Sequence, residues 1–482
     1  MSTESHSEPS ITEVLSEYWA GTTYDDLPQD VVSAMKDHIL DTLAVAMAGI
    51  PSEESRRVRN ALSGMSNGGP CLIWGTRGRL NPAHAALANG TSAHARDFDD
   101  GGGPGHAGSA TLPAAIAAAE LVGASGKDLI VAACAGYDVS YRLLQGIGGF
   151  AAHTDRGWHS TGTFGTFAAA AACAKILHLD ADTFANALGI AGSFTGGVWA
   201  FIEDGAWTKR VHPGKAGESG IDAAFLARAG ITGPHRLFEA PWGGIFATYG
   251  DGRGFPERVT AGLGETFNVS TSYLKPYACC RGSHSAVDAV LKLIAERDLQ
   301  PSDVLSITVT AGETAINMLN VDPIETVFDA QFSLPYAISV ALENRSVGLE
   351  QFDPPRISEP RIQETFARIS MVLDPSIQLE DGPRLDFDLM SGEKITLLAG
   401  NPTDAKGSEK NPMTHGEVVA KAQALLRPYG NEAAAQLIEA VENLDSASTL
   451  DKLINALSAT PLPIWSKTHY DTNYLDRAGR TH

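Results

Sequence analysis

The sequence predicts a mostly α-helical protein with a smaller α+β part, and three patterns along the chain carry this prediction. The first half, up to about residue 265, contains successive helical segments rich in alanine and glycine. The next segment, to about residue 400, mixes alternating apolar and polar runs with helical ones. Helical periodicity then resumes after the loop-like stretch NPTDAKGSEKNPMTHG.

The first half opens with a strong helix signal in PQDVVSAMKDHILDTLAVAMAGI. Pro28 and Asp30 are typical of a helix start. Apolar residues follow at three- and four-residue spacing, at Val32, Met35, Ile39, Leu43 and Met47. Further helical segments are NPAHAALANGTSAHA, TLPAAIAAAELVGA, GKDLIVAACAGYDVSYRLLQGI, TFGTFAAAAACAKIL and DADTFANALGIAGSFTGG. Their small residues permit close packing, so one helical domain is expected.

The α+β prediction rests on two strand signals. LSITVTAG alternates Leu305, Ile307 and Val309 with polar partners, as a half-buried strand does. RLDFDLMSGEKITLLAG has two alternating runs around Ser391 and Gly392, which is typical of a β-hairpin. The stretches SHSAVDAVLKLIAERDL, AQFSLPYAISVALENRS and RIQETFARISMVL have helical periodicity.

Three helical stretches end the chain: EVVAKAQALL, NEAAAQLIEAVENL and STLDKLINALSA. They can form a third domain or return to the first one. Because three helices make a small core, docking onto the helical domain is the preferred interpretation.

The composition excludes several classes of protein. With 482 residues, 43% of them hydrophobic, and a mean hydropathy of -0.07, the chain resembles neither a membrane protein nor a disordered one. Its formal net charge of -21 repels polyanions, so no nucleic-acid partner is expected. The opening MSTESHSEPSITEV lacks the features of a secretory signal, and no uninterrupted apolar run of about 18 residues follows. We therefore expect a cytoplasmic protein with no membrane partner.

The stretch HARDFDDGGGPGHAGSA is the first candidate functional motif. It holds His94, Asp97, Asp99, Asp100 and His106 around three consecutive glycines. Carboxylates beside a glycine-rich turn can supply a general base or a metal site, and a histidine adds a proton-transfer group. The alternative is an acidic loop that only caps the next helix. The five cysteines contain no CxxC pair, which excludes the commonest zinc and iron–sulfur spacings.

Two further motifs carry candidate acid–base and cationic groups. In HTDRGWHSTGTFGT, His159 precedes a Ser/Thr/Gly-rich helix start, where amides and an imidazole can meet a carboxylate; the alternative is a capping loop. TKRVHPGKAGESG concentrates Lys209, Arg210, His212 and Lys215 ahead of the helix ESGIDAAFLARAG. These charges can hold an anion, or they can form a solvated basic face.

The fourth motif, SYLKPYACCRGSHSAVDA, contains Lys275, Cys279, Arg281 and His284. A nucleophilic role for Cys279 with His284 as its base is the weaker hypothesis. The stronger hypothesis is a further cationic contribution to a carboxylate pocket through the lysine, the arginine and the histidine.

These four motifs, together with LDTLAVAMAG, AQFSLPYA and NPMTHGE, resemble the MmgE/PrpD family over roughly residues 12–460. The family includes 2-methylcitrate dehydratases, cis-aconitate decarboxylases and iminodisuccinate epimerases. The resemblance implies a helical domain of residues 1–265 and 403–482, and an α+β lid of residues 266–402. It also implies a homodimer that needs no metal and no organic cofactor.

Carried over to this chain, the family's catalytic cleft uses Asp97, His106, His159 and Lys209, with His284 from the other side. The motifs DFDD, WH before STGT, and TK carry this assignment. Gly101 departs from the pattern, because relatives often carry a hydroxyl residue there.

The resemblance implies a cofactor-independent lyase that dehydrates a 2-methylcitrate-like acid or decarboxylates a cis-aconitate-like acid. Lys209 and its neighbours are expected to hold the substrate carboxylates across a cleft from His159, the leading acid–base group. Asp97 and His106 are expected to orient or share protons, with Asp97 itself as an alternative base. The alternatives are an epimerase of an iminodisuccinate-like substrate and a non-catalytic dimer that binds polycarboxylates.

Overall fold

The computed structural model describes residues 8–103, 105–378 and 381–461, which form two compact units. Unit 1 contains the described residues up to Leu274, with Thr414–Ala424 and Ala433–Ala459. Unit 2 contains the described residues from Lys275 to Met413, with Leu425–Glu432 and the two described residues after Ala459.

Unit 1 is helical, apart from a short antiparallel pair of strands with two residues each, β1 (Cys71–Leu72) and β2 (Arg79–Leu80). Its first helices are α1 (Ile11–Gly21), α2 (Gln29–Gly49), α3 (Glu53–Met65), α4 (Pro82–His94), α5 (Ala107–Val122), α6 (Gly126–Gly146), α7 (Gly149–Thr154), α8 (Ser160–Ile176), α9 (Ala181–Phe194), α10 (Phe201–Asp204), α11 (Thr208–Arg228), α12 (Ile245–Thr248) and α13 (Pro256–Thr260). The expected small-residue helices are therefore present. Helix α8 is buried along almost its whole length among α5, α6 and α11.

Gly214 marks the closest approach of α11 to α4. A Cβ atom on Gly214 would lie 2.3 Å from the carbonyl oxygen of Leu87, and one on Gly90 would lie 2.6 Å from the Cα of Gly214. Only glycine fits at such distances. The crossing brings the start of α11, with Lys209, to the end of α4, with His94.

Helix α11 begins at Thr208, so the expectation that the basic motif precedes the helix is wrong. Pro213 lies inside the helix, where it removes one amide donor. Packing of α11 against α4 and α8 outweighs this local cost. The basic side chains are therefore spaced by helical geometry.

Unit 2 has helices on a four-stranded sheet of order β4-β3-β5-β6. The elements are α14 (His284–Arg297), β3 (Val304–Ala311), α15 (Glu313–Leu319), α16 (Val327–Gln331), α17 (Leu334–Asn344), α18 (Pro354–Ile357), α19 (Pro360–Phe366), β4 (Ile369–Leu373), β5 (Arg384–Leu389) and β6 (Lys394–Leu398). Strands β5 and β6 form the expected hairpin. The mostly helical fold with a smaller α+β part is thus confirmed.

The end of RIQETFARISMVL was predicted as helix and is strand β4 instead. The helix α19 stops at Phe366, and β4 pairs in parallel with β3, with Ile369 opposite Ile307. The residues ISMVL are apolar throughout except for one serine, so their pattern does not separate helix from strand. Pairing with a distant strand decides the outcome.

The last helices of the described residues are α20 (His415–Leu426), α21 (Asn431–Glu442) and α22 (Asp451–Leu457), of which α22 and most of the other two belong to unit 1. Lys421 on α20 contacts both Asp41 on α2 and the carbonyl of Phe98. Within the described ranges, none of the helices combines the length and the apolar character needed to cross a bilayer.

Candidate active site

The core of the candidate site is a buried carboxylate held by two cations. Lys209 donates from Nζ to Oδ1 of Asp97 at 3.1 Å, and Nη1 of Arg210 lies 3.6 Å from the same oxygen. Lys209 is 3% exposed and Asp97 is 1% exposed. Water screens such buried charges weakly, so their mutual attraction and their effect on a bound anion are strong.

Asp97 adopts an unusual backbone conformation in the loop between α4 and α5. Its φ angle is +49°, in the left-handed region that aspartate tolerates better than most residues. Its amide donates to the carbonyl of His94 at 3.2 Å. The turn aims the carboxylate at Lys209, so local backbone strain is part of how the site is built.

Asp99 links two imidazoles. Its carboxylate accepts from Nδ1 of His94 at 3.0 Å and from Nδ1 of His106 at 3.1 Å. Burial would raise the pKa of Asp99, but His106 and His94 outweigh it and hold this pKa well below its usual range. The carboxylate therefore stays ionised and fixes the orientation of both rings.

The tautomers of these two histidines follow from their partners. His94 donates from Nδ1 to Asp99 and accepts from Lys209 at Nε2, over 3.3 Å, so it is neutral. Burial holds the pKa of His94 well below the ordinary value, in agreement. His106 donates from Nδ1 toward Asp99 and toward the carbonyl of Asp100, at 3.0 Å. Its Nε2, 3.9 Å from Oδ1 of Asp97, is the nitrogen that can exchange a proton.

Asp100 holds the loop between α4 and α5 in place through three hydrogen bonds. Its carboxylate accepts from Nδ1 of His38 at 2.7 Å, from the hydroxyl of Tyr137 and from the amide of Gly108 at 3.1 Å. Burial, and then the charge of Asp100, raise the pKa of Tyr137, which keeps its hydroxyl a donor. Because the carbonyl of Asp100 accepts from His106, this anchor positions a site residue.

A second buried ion pair lies beside this anchor. Lys421 contacts Asp41 over 2.6 Å and donates to the carbonyl of Phe98 at 2.8 Å. Burial raises the pKa of Asp41 to about 6, although Lys421 opposes the shift. Motif reasoning did not assign a role to this pair or to the His38–Tyr137 anchor. The sequence signal for these contacts is that two polar residues, His38 and Asp41, lie within the apolar stretch of α2.

His159 lies immediately before α8 and forms a pair with His212 of α11. Their Nδ1 atoms are 2.8 Å apart. The ring of His159 lies edge-on to Trp199 and Phe201, with centroids at 5.0 and 5.4 Å. Burial, then His212 and Lys209, hold the pKa of His159 well below its ordinary value. This influence of Lys209 places the two predicted residues within electrostatic reach of each other.

Gly101 is the predicted departure from the family pattern, and its neighbour accounts for it. Gly101 and Tyr273 exchange two backbone hydrogen bonds of 2.9 Å. A Cβ atom at Gly101 would lie 2.3 Å from the hydroxyl oxygen of Tyr273. The glycine therefore makes room for a tyrosine hydroxyl that the motifs did not identify.

Lys215 is not brought to the site, contrary to its proposed place in the pocket. Its side chain is 62% exposed and pairs with Glu218 over 2.7 Å on the same helix. Six residues along an α-helix correspond to a rotation of about 240° from Lys209, which accounts for the different environment. This lysine belongs to the solvated basic face.

Lys275, Arg281 and His284 belong to unit 2. Lys275 is buried. Arg281 donates to the carbonyls of Ala405 and Lys406, at 2.9 and 2.8 Å, and to Nδ1 of His284 at 3.2 Å. Nε2 of His284 lies 3.2 Å from a carbonyl oxygen, that of Cys279, so it is the protonated nitrogen. Both ring nitrogens thus have partners within unit 2, and substrate binding by these residues stays a prediction.

Four side chains of the site form a set that is able to ligate a metal ion. The candidate ligand atoms lie within 4.8 Å of one another, on His94, Asp97, Asp99 and His106. The ammonium group of Lys209 already contacts two members of the set. A divalent cation would have to compete with this lysine, because like charges repel strongly in a buried site.

Comparison with known proteins agrees with the arrangement. The MmgE/PrpD N-terminal domain matches residues 13–258, and the MmgE/PrpD C-terminal domain matches residues 277–446. The cis-aconitate decarboxylase of Aspergillus terreus is 27% identical over 96% of this chain and 99% of its own length. The human cis-aconitate decarboxylase is 27% identical over 93% of this chain and 95% of its own length.

A third relative is the cis-aconitate decarboxylase-like protein oryM of Aspergillus oryzae, which is 28% identical over 95% of this chain and 99% of its own length. The two domain matches together cover most of the chain; the first three sequence motifs lie within the first match, and the fourth lies in the second match from Tyr277 onward. The chain therefore belongs to the MmgE/PrpD family.

Proposed function

We propose that this lyase of the MmgE/PrpD family is a carboxy-lyase that decarboxylates a small tricarboxylate of the cis-aconitate type. One observation carries the proposal: buried Lys209 and Arg210 surround Asp97 beside the proton-transferring nitrogen of His106. The names of three relatives that align over nearly the whole chain support the substrate class.

The chemistry needs fixed positive charge. The bond between a substrate carboxylate and the carbon skeleton breaks, carbon dioxide leaves, and the bonding electron pair stays on the skeleton beside the remaining carboxylates. Lys209 and Arg210 stabilise this growing negative charge more than they stabilise the bound substrate. They are held in place before substrate binds, so little reorganisation is needed.

The skeleton must then accept one proton on carbon. His159 is the proposed donor, because it is buried next to cations and carries a ring nitrogen that is not used in its contact with His212. His106, with Nε2 near Asp97, orients the substrate or shares the proton. The reaction uses side chains alone and needs no cofactor.

Epimerisation of an iminodisuccinate-like acid is the second candidate. It is favoured by the two imidazoles, His106 and His159, which come from different elements and can serve as two bases. Dehydration of a 2-methylcitrate-like acid would use the same groups, with water as the leaving group.

The test measures carbon dioxide release from cis-aconitate by the purified protein and by two variants. His159→Gln is expected to lower kcat by about 100- to 10,000-fold, the usual contribution of a general acid. His178→Asn is the matched control, because His178 is 69% exposed and has a φ of +50°, which asparagine tolerates. A fully active His159 variant, or a wild-type protein that releases no carbon dioxide, would overturn the proposal.

A further inference from the structure

The contact between His159 and His212 constrains where protons lie. Two Nδ1 atoms at 2.8 Å form a hydrogen bond only when one carries hydrogen and the other does not. The opposite nitrogens, Nε2 of each ring, are then complementary: the ring that accepts at Nδ1 carries its hydrogen at Nε2. The pair therefore has two neutral arrangements of opposite tautomers.

The surroundings keep both rings uncharged. Burial and then Lys209 lower the pKa of His212 to about 4, and burial holds that of His159 well below the ordinary value. The charged or titratable groups that act on the pair are Lys209 on the same helix and His94 and His106 at the loop. At neutral pH a single Nδ1 hydrogen is therefore shared between two neutral rings.

The two rings differ in their access to water. His159 is 3% exposed and enclosed by Trp199 and Phe201, whereas His212 is only half-buried. Each turnover of a decarboxylase takes up one proton from solvent. While substrate fills the site, water does not reach Nε2 of His159, and a neighbour that contacts solvent can pass a proton inward during the reaction.

We propose that His212 is a proton relay that acts through His159. This inference rests on the proposed function. Before reaction, His212 donates from Nδ1 to Nδ1 of His159, and Nε2 of His159 carries the hydrogen. During reaction, the hydrogen at Nε2 of His159 moves to substrate carbon. The hydrogen at Nδ1 of His212 then moves to Nδ1 of His159. Finally, Nε2 of His212 takes a proton from water.

One solvent proton thus enters the pair for each hydrogen that His159 gives to carbon, and both rings end neutral with exchanged tautomers. The pair resets after product leaves, when Nε2 of His159 takes a proton from water in the emptied site. The hydrogen at Nδ1 of His159 then returns to Nδ1 of His212, and Nε2 of His212 gives a proton to solvent. Charge and proton number balance over the cycle.

Three variants separate a relay from a merely structural contact. His212→Asn keeps an amide donor near the position of Nδ1 but cannot pass a proton through its side chain. His212→Phe keeps the ring without any hydrogen bond, and His212→Gly leaves room for free imidazole. The relay predicts that all three lower kcat by about 100-fold, with KM little changed and unfolding temperatures near wild type.

Added imidazole is expected to restore activity to His212→Gly in proportion to its concentration, and not to His212→Phe. An active His212→Asn enzyme would show that the hydrogen bond alone suffices and would overturn the relay. So would failure of imidazole to rescue a folded His212→Gly enzyme.

A readout without substrate separates this inference from the proposed function. In protein labelled with 15N-histidine, the relay requires one protonated and one unprotonated Nδ1 within the His159–His212 pair. If both Nδ1 nitrogens are of the same type, the relay is wrong whatever the substrate. If the tautomers are complementary but cis-aconitate is not turned over, the proposed substrate is wrong. The hydrogen-bonded histidine pair that the relay requires is then still supported.

Discussion

Lys209 is the residue on which the site depends most. It contacts Asp97 and His94 simultaneously and lowers the pKa of His159. The sequence motif indicated a role for Lys209 because proline, glycine and tryptophan surround the basic cluster. In an acidic chain, such neighbours favour a buried site over a solvated basic face. The same reasoning placed Lys215 in the pocket, because the sequence was interpreted as a loop and the rotation of a helix was not considered.

Replacing this lysine tests both stability and activity. Lys209→Met is expected to cost about 3 kcal/mol of unfolding free energy, because it removes the ammonium group 3.1 Å from the buried carboxylate of Asp97. It should also abolish turnover. Lys215→Met, on the same helix but exposed, should change stability by less than about 0.5 kcal/mol and retain activity.

Urea unfolding and the carbon dioxide assay measure the two effects. Adding Asp97→Asn to Lys209→Met should recover part of the lost stability but none of the activity, since it removes the uncompensated charge and not the need for a cation. Equal stability of the two lysine variants would contradict the buried ion pair.

The sequence motifs were sufficient to predict Asp97, His106 and His159 as site residues. They did not predict the residues that hold this part of the chain in place. Each of the three lies in a short motif whose residue types have an evident chemistry. The supporting contacts join distant parts of the chain: Lys421 and the carbonyl of Phe98 are 323 residues apart. No local spacing encodes such a pair, because it exists only once the C-terminal helices have returned to unit 1.

At the scale of elements, the crossing of α4 and α11 sets the distance between Lys209 and His94. Gly214→Ala places a methyl group 2.3 Å from the carbonyl oxygen of Leu87, so the helices must separate. The expected cost is about 1–3 kcal/mol, with a fall in kcat as Lys209 moves.

Gly64→Ala is the matched control for the glycine variant. Gly64 lies in α3 with nothing within 4 Å of an added Cβ, so alanine should be neutral or stabilise the protein by up to about 1 kcal/mol. Urea midpoints compare the two variants. A Gly214 variant as stable as the Gly64 variant would mean that the crossing is not tight.

The burial of Asp41, where α2 contacts α20, predicts a dependence of stability on pH. The pKa of Asp41 is raised from 3.8 to about 6 on folding, so the folded state binds this proton more tightly than the unfolded chain does. The stabilising contribution is fully present below pH 3.8 and is lost as the pH rises through about 6. Asp41→Asn has no such titration.

Unfolding free energies across this pH window are the measurement. Wild-type stability should fall relative to Asp41→Asn as the pH rises, whereas Asp251→Asn, at an exposed position with a φ of +54°, should follow wild type. Parallel curves for wild type and Asp41→Asn would show that Asp41 does not titrate as described.

Strand β4 shows why the α+β part was harder to predict than the helical part. In unit 1, apolar residues at three- and four-residue spacing over long stretches predict the helices. The residues of β4 number only five, and their apolar pattern is compatible with either structure. Their partner β3 lies more than fifty residues earlier in the chain, so its influence is not visible locally.

At the scale of the whole molecule, the proposed substrate is acidic and so is the protein. The formal net charge of -21 repels a tricarboxylate at long range. The buried cations Lys209 and Arg210 place positive charge at the site itself, where the low dielectric strengthens attraction at short distance. A large net negative charge is thus compatible with the proposed anion site, because the two effects act over different distances.

The activities found in the family share one kind of transition state. Dehydration, decarboxylation and epimerisation of small polycarboxylic acids all build negative charge beside a carboxylate, and the same cations stabilise it. The three differ in whether water, carbon dioxide or only a proton leaves. That choice depends on how the substrate is oriented against His159 and His106.

The most direct test of decarboxylation follows cis-aconitate by NMR in deuterated water with the purified protein. The account predicts one carbon dioxide per substrate consumed and a product that carries one deuterium on the carbon protonated through His159. Parallel samples with citrate, 2-methylcitrate and iminodisuccinate should remain unchanged. Deuterium entering recovered iminodisuccinate, loss of water from a citrate, or unchanged cis-aconitate would contradict it.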